Sequence, residues 1–125
     1  MKVLALTGVA PYAISEIVKN HVKTLNLKNF SNLVVVESST VGDILFVTNT
    51  LKDDVISSTE GLIVQIKKIE ITNQIKNSKV TEESEIIVSK VQVELLGYAS
   101  CLKVLKTELM DPLLVILKIK SLYEL

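Results

Sequence analysis

The sequence predicts a three-layer α/β fold of the Rossmann-like kind, with a mainly parallel β-sheet between layers of helices. Short apolar runs alternate with amphipathic stretches along the 125 residues, as they do when crossover helices join buried parallel strands. Hydrophobic residues make up 48% of the chain and aromatic residues only 4%, which suits a core of Val, Ile and Leu. A chain of this length is expected to form a single domain, residues 1–125.

The first two predicted elements are a strand and a helix. Val3–Leu6 is short and apolar throughout, which predicts a strand buried on both faces. A helix is predicted to begin at Pro11, because proline is well tolerated at the first helical position. Its apolar positions recur every three or four residues up to Leu25 and place the single histidine, His21, on the apolar face. A histidine there more often packs at the core than acts as a catalytic base.

A second strand and a second helix are predicted next. Leu33–Val36 is another short apolar run and therefore predicts a buried strand. Thr40 and Asp43 resemble the residue pair that caps a helix N-terminus, with Asp in place of the usual Glu or Gln. A helix beginning at Val41 would align apolar residues as far as Val55 on one face.

Two later strands are predicted from continuous apolar character. Leu62–Ile71 is the longest and most β-branched of them. Its alternation slips at Lys67 and Lys68, which indicates a bulge or a strand that runs past the sheet edge. Leu113–Ile119 is wholly apolar apart from one lysine and is predicted to be the last strand.

The segment between these strands allows two interpretations. A helix beginning at Thr81 is favoured, since apolar residues continue at helical spacing from Ile87 to Leu109. The alternative is that Ser84–Leu95 is a strand that pairs with Leu62–Ile71 as a hairpin.

Charge and cysteine content narrow the possible functions. The 14 basic residues are all lysines, 14 acidic residues balance them, and no stretch gathers the lysines, so no duplex nucleic acid is expected as a partner. Cys101 has no second cysteine to pair with and is expected to pack as a small hydrophobe in an apolar helix. No metal-ligand spacing is present, and no metal or cofactor is expected. Neither a signal peptide nor a membrane span is apparent, so we expect a soluble, cytoplasmic protein without a membrane partner.

Two segments are candidate ligand-binding sites, because ligands of open parallel sheets bind beyond the carboxyl ends of the strands. In the first, Gly8 lets the backbone approach a ligand, and Ala10 leaves the first helical amides without a side-chain cap. In the second, hydroxyl groups could donate hydrogen bonds to phosphate or ribose, although an ordinary helix cap would look the same. The candidate ligand-binding residues are Thr7, Gly8, Val9, Ala10, Pro11, Ser38, Ser39 and Thr40. The spacing designates no catalytic residue.

The segment Val3–Glu16 resembles the opening of CRISPR-associated Rossmann-fold (CARF) domains. The shared pattern is an apolar strand, a Thr-Gly turn, an Ala-Pro step and a helix that carries a small residue and a glutamate. A looser similarity follows at Ile69–Gln74. The resemblance implies a homodimer in antiviral defence that binds a cyclic oligoadenylate across its two-fold axis, with Thr7 to Pro11 holding phosphates and riboses. Some such domains also cleave the ring without a metal, by aligning a ribose 2′-hydroxyl with its phosphate.

Two functional hypotheses follow. The first is a nucleotide-binding domain, acting as a stand-alone sensor or as a metal-independent ring nuclease. The second is a non-enzymatic interaction module that docks a partner protein through an apolar face. The mean hydropathy of +0.41 is high for a chain whose surface is wholly solvated, and it supports the second hypothesis about as well as the first is supported.

Overall fold

The computed structural model describes residues 1–77, 83–105 and 111–123, of which residues 73–77 and 83–87 are described by their backbone alone. Two α-helices and six strands are present in these ranges. In chain order the elements are β1 (Lys2–Leu6), α1 (Pro11–Asn20), β2 (Val22–Leu27), α2 (Phe30–Glu37), β3 (Ile44–Val47), a 3₁₀ turn (Lys52–Asp54), β4 (Glu60–Asn77), β5 (Glu83–Val104) and β6 (Leu114–Leu122).

The strands form one mixed sheet that closes on itself. Their order is β2-β5-β4-β3-β1-β6, and β6 pairs in addition with the second half of β5. Strands β1, β3, β4, β5 and β6 thus form a closed barrel, while β2 pairs with the first half of β5. Within the described ranges only β1 and β3 are parallel, and the other five pairings are antiparallel. The predicted Rossmann-like sandwich with a mainly parallel sheet is therefore wrong.

Two separate hydrophobic cores lie on the two faces of this sheet. Successive side chains of a strand point to opposite faces, so neighbours such as Leu4 and Ala5 belong to different cores. The barrel interior holds Val3, Ala5, Phe46, Ile63, Ala99, Cys101, Val115 and Leu117. The outer face is covered by α1 and α2, whose buried residues are Ala13, Ile17, Asn32, Val35 and Val36.

Strand β1 and the start of α1 are as predicted, but α1 ends after ten residues instead of continuing to Leu25. The residue after the helix, His21, has a left-handed backbone (φ 66°), and its N–H donates to the carbonyl of Ile17 at 2.8 Å. This geometry closes the helix. His21 is consequently exposed rather than on an apolar helix face, and its ring centroid lies 5.1 Å from that of Tyr123. The spacing that extended the predicted helix also fits a strand, in which Leu25 and Leu27 alternate into the core.

The predicted strand Leu33–Val36 is wrong, because these residues lie in helix α2. Asn29 caps the helix through its Oδ1 atom, which accepts a hydrogen bond from the Ser31 N–H at 2.9 Å. Asparagine is a strong helix-start signal, but the run of three valines that follows is equally typical of a strand. Within the described part of the chain, no helix has the length and apolar character that crossing a bilayer requires.

The predicted helix from Val41 to Val55 is also wrong. The predicted interaction of Thr40 with Asp43 does form: the Thr40 N–H donates to Asp43 Oδ2 at 2.9 Å, and the Asp43 N–H donates to the Thr40 carbonyl at 3.1 Å. It closes a tight turn rather than a helix start. Gly42 adopts φ 96°, which is readily accessible to glycine alone, and the chain then enters β3.

Strands β4 and β5 pair as a long antiparallel hairpin. The favoured helix in this region is therefore wrong, and the alternative hairpin is confirmed. The predicted helix start at Thr81 and the last apolar position, Leu109, lie outside the described residues. Within β5 the period is two, since Val91, Val93 and Leu95 are buried on one face.

The predicted strands at Leu62–Ile71 and Leu113–Ile119 are confirmed as parts of β4 and β6. The register of β4 shifts between Ile66 and Lys68, so the predicted bulge is confirmed as well. Cys101 lies in β5 rather than in a helix, but it is buried in the barrel as a small hydrophobe. Burial raises the pKa of its thiol.

Among the described residues, the hydroxyl of Ser89 is buried and has no hydrogen-bond partner. The residue is fully buried on β5, so its hydroxyl loses water without gaining a protein partner. We expect Ser89→Ala to raise the free energy of unfolding by about 1 kcal/mol, the desolvation cost of an unpaired hydroxyl. Urea denaturation measures the change. Ser38→Ala, at an exposed position, is the matched control, for which a change within about 0.5 kcal/mol is expected.

Candidate functional site

A cavity of about 250 Å³ lies between the β1–α1 turn, strand β2 and the beginning of α2. The turn supplies one wall, and the six residues from Lys23 to Lys28 supply the second. Asn29 and Asn32, at the start of α2, complete the site. Its lining residues are Gly8, Val9, Ala10, Tyr12, Ala13, Lys23, Thr24, Leu25, Asn26, Leu27, Lys28, Asn29 and Asn32.

The buried side chain of Asn32 fixes the β1–α1 turn. Its Oδ1 accepts a hydrogen bond from the Thr7 N–H at 2.9 Å, and its Nδ2 donates to the Thr7 carbonyl at 2.8 Å. A second amide, Asn49 Nδ2, donates to the carbonyl of Val9 at 2.9 Å. Because Thr7 is buried, the bonds from Asn32 replace the water that its backbone N–H and carbonyl would otherwise need. The cavity wall is therefore held in place by side chains from two other elements.

The backbone amides of the turn are only partly available to a ligand. The Gly8 N–H donates to the Thr50 carbonyl at 2.9 Å, and the Val9 N–H donates to the Thr48 carbonyl at 3.1 Å. These two amides are therefore engaged within the protein rather than free to bind a ligand. The expectation for Ala10 is met, since no side-chain hydrogen bond caps the start of α1. Gly8 adopts φ 61°, a left-handed conformation that strains residues with a Cβ.

The electrostatic character of the cavity is positive. Lys23 and Lys28 line it, and no acidic residue is among its described lining residues. Lys23 forms an ion pair with Glu16 of α1, which leaves Lys28 as the exposed cation of the wall. The N-termini of α1 and α2, which carry partial positive charge, border the same cavity.

Tyr12 and Asn26 provide the remaining contacts that a ligand would meet. Tyr12 lines the cavity, and 69% of the surface of this residue is exposed to solvent. Its ring is therefore accessible at the cavity mouth. Asn26 lies on β2 with an exposed amide. An exposed aromatic ring next to amide groups is a common arrangement for holding an unpaired nucleobase.

The eight sequence-predicted residues do not form one site. Gly8, Val9 and Ala10 line the cavity, and Thr7 and Pro11 flank them in the chain. The second set, Ser38 to Thr40, follows the C-terminal end of α2, about 12 Å along the helix axis from the cavity. The hydroxyls of Ser38 and Ser39 donate to carbonyls within α2. The two sets are apart because the element between them is a helix and not a strand.

Ten of the thirteen lining residues were not expected from the sequence, among them two lysines and two asparagines at the start of α2. Lys23 and Lys28 lie on and just after β2, which the prediction had placed in the first helix and a loop. Asn29 and Asn32 belong to the first turn of α2. The Asn-Phe-Ser-Asn sequence that begins this helix was the available signal, because asparagine and serine favour helix starts.

Comparison with known proteins identifies the family of the chain. The family model described as "Protein of unknown function (DUF473)" matches residues 1–115. The chain is also 39% identical over 103 residues to the uncharacterized protein MJ0105 of Methanocaldococcus jannaschii, in a match that covers 82% of this chain and 66% of that protein. The chain thus spans slightly less than two thirds of this relative. No solved structure matches the chain. The chain belongs to the DUF473 family of proteins of unknown function.

Proposed function

We propose that the cavity binds the phosphate-bearing part of a nucleotide. The observation that carries this proposal is the charge of the cavity, whose wall presents Lys28 as an exposed cation and contains no described acidic residue. Lys23 lines it too, in an ion pair with Glu16 of α1. The whole chain has zero net charge, so this local excess of cations is not a consequence of composition. Two helix N-termini at the same wall favour an anion further.

The size of the cavity limits the ligand to about one nucleotide. A volume near 250 Å³ lies just below the range of about 300–1,000 Å³ that is usual for small-molecule sites. A cyclic oligoadenylate would therefore place only one of its nucleotides in the cavity. Binding of such a ring, and its cleavage by a metal-independent ring nuclease, stay predictions from the CARF resemblance, whose Rossmann-like fold this chain does not have.

Tyr12 supports the assignment to nucleotides rather than to simple anions. Its exposed ring at the cavity mouth offers a surface on which a base can stack, a contact worth about 1–3 kcal/mol. The neighbouring amide of Asn26 can donate to or accept from a base edge. Phosphate at the lysines and base at Tyr12 is the arrangement we propose, in a protein that acts in the cytoplasm.

Calorimetric titration with AMP, ATP and cyclic tetra-adenylate tests the proposal. We expect Lys28→Gln to weaken nucleotide binding about tenfold, because a hydrogen bond to a charged group contributes about 1.5–3 kcal/mol. Lys103→Gln is the matched control, since Lys103 is an exposed lysine of β5 that does not line the cavity. Absence of binding by all three nucleotides, or equal affinities of the two variants, would overturn the proposal.

The second candidate function is docking of a protein through an apolar surface. Leu51 and Ile56, which flank the 3₁₀ turn, remain 60% and 64% exposed. We propose a second copy of the chain as the partner, in line with the expected homodimer. Light scattering of the wild type and of the Leu51→Ser, Ile56→Ser variant tests this: a dimer that becomes a monomer supports it, and a wild-type monomer contradicts it.

A further inference from the structure

We infer that the ligand of this protein is a single-stranded oligonucleotide that continues from the cavity across β2 to a second recess on β5 and β4. The inference rests on the proposed function, because one nucleotide of the strand is placed in the cavity. To the proposed function it adds the class of the ligand and the protein surface that binds the remaining nucleotides.

The second recess adjoins the cavity directly. It has a volume of about 120 Å³ and is lined by Thr24, Lys68, Glu70, Lys90 and Gln92. Thr24 lines the cavity as well. Leu25 and Val91 pack towards the helices, so Thr24 and Gln92 point to the opposite face of the sheet. A ligand that leaves the cavity at Thr24 therefore enters the second recess by passing round β2, the end strand of the order.

The register of the sheet gives the distance from Thr24, which lines both sites, to the far wall of the second recess. Thr24 pairs with Gln92 of β5, and Gln92 pairs with Lys68 of β4. Two strand spacings separate Thr24 from Lys68, or about 10 Å. At the stacked rise of about 3.4 Å per nucleotide, about three nucleotides span this distance, and a strand whose bases are unstacked spans it with fewer.

The charges along this path also suit a polyanion. Lys23 and Lys28 line the cavity and Lys68 and Lys90 line the recess, whereas Glu70 is the one acidic residue among the described lining residues of both. Lys90 and Glu70 are cross-strand neighbours, so part of the positive charge is offset there. Lys68 has Gln92 as its neighbour and keeps its charge for a ligand.

The geometry favours a single strand over a duplex. A base stacks on the exposed Tyr12 ring beside the cavity when it is unpaired and its face is free. Lysines that follow one backbone beside an aromatic ring are the usual elements of sequence-tolerant single-strand binding.

Salt-dependent fluorescence anisotropy with ten-nucleotide adenine strands of RNA and of DNA tests the inference, with AMP as the one-nucleotide probe. We expect each oligonucleotide that binds to do so at least tenfold more tightly than AMP, since Lys68 and Lys90 add to Lys28, the exposed cation of the cavity. The logarithm of the binding constant should fall with the logarithm of salt concentration with a slope of about −2, or about 0.7 for each of three neutralised phosphates. If RNA binds more tightly than DNA, the 2′-hydroxyl contributes to recognition. If the two bind equally, recognition is through the phosphates. Both results support the inference.

The decisive variant is Lys68→Gln, Lys90→Gln. It should reduce the magnitude of the salt slope by about 1.4 and leave the affinity for AMP within twofold. Lys103→Gln, Lys118→Gln is the control with the same change of charge at exposed lysines outside both recesses. The inference is wrong, while the cavity proposal stands, if AMP binds and the oligonucleotides bind no more tightly than AMP. The same conclusion follows if the two double variants have the same salt slope. If AMP and the strands all fail to bind, the proposed function is wrong, and this inference with it.

Discussion

Asn32→Leu is expected to lower the free energy of unfolding by about 2–6 kcal/mol, because it leaves two buried backbone groups without partners at about 1–3 kcal/mol each. Leucine has nearly the shape of asparagine, so the core around α2 stays filled. The Thr7 N–H and carbonyl, however, lose the bonds of 2.9 and 2.8 Å that Asn32 makes with them. Urea denaturation followed by circular dichroism measures the loss.

Two further variants separate the loss of the hydrogen bonds to Thr7 from the general effect of replacing asparagine. Asn26→Leu makes the same change at an exposed position of β2, and we expect a change within about 0.5 kcal/mol. Asn32→Asp keeps the acceptor for the Thr7 N–H but puts a carboxylate against the Thr7 carbonyl. Its neutral form alone can donate there, so folding raises the pKa of this carboxyl, and the variant should regain stability as the pH falls through that pKa. An Asn32→Leu protein as stable as the wild type would show that Thr7 is satisfied in another way.

The same variant should also impair the cavity. Asn32 holds the turn that carries Gly8 and Val9, so nucleotide affinity is expected to fall in Asn32→Leu under conditions in which the protein remains folded. Lys28→Gln should lose affinity without losing stability. The two variants together distinguish the residue that shapes the proposed site from the residue that contacts the ligand.

The sequence predicted the elements that depend on local signals and missed those that depend on pairing. Strand β1 and the start of α1 were predictable, because the continuous apolar run and Pro11 act within a few residues. Residues 33–36 were not predictable, since three consecutive valines fit a strand and a buried helix equally. The signal that favours the helix is the capping residue Asn29. Val91, Val93 and Leu95 of β5 follow a period of two, although the apolar spacing of this segment also fits a helix. Pairing with β4 decides between the two.

The errors in the fold explain the errors in the site. Gly8, Val9 and Ala10 were found because a turn after an apolar strand is visible in the sequence. Lys23 was missed because the predicted α1 continued through it to Leu25, and Lys28 was missed because it fell in the predicted loop that follows. The end of α1 before His21 places both lysines in a cavity wall. Zero net charge likewise concealed a local excess of lysines, since composition contains no information on which residues share a surface.

Gly97→Ala is expected to open the barrel at the seam between β5 and β6. A Cβ at Gly97 would lie 2.1 Å from the Ser121 carbonyl oxygen and 2.9 Å from the Leu122 Cα. Both are backbone atoms of β6, so no side chain can turn aside, and the strand itself must move. Overpacking against side chains costs about 1–3 kcal/mol, and against backbone we expect at least the upper end of that range, with a fall in Tm of about 10 °C.

Gly42→Ala distinguishes this close approach from the general effect of adding a methyl group to a glycine. No atom lies within 4 Å of a Cβ built on Gly42, although its φ of 96° disfavours an L-residue. Backbone strain alone should therefore cost about 1–3 kcal/mol there without affecting β6. Hydrogen exchange separates the two: in Gly97→Ala, but not in Gly42→Ala, the amides of β6 that pair with β5 should lose protection. Equal protection in both variants would contradict the closed barrel, because the pairing of Gly97 with Leu122 leaves no space for a side chain while β5 and β6 remain joined.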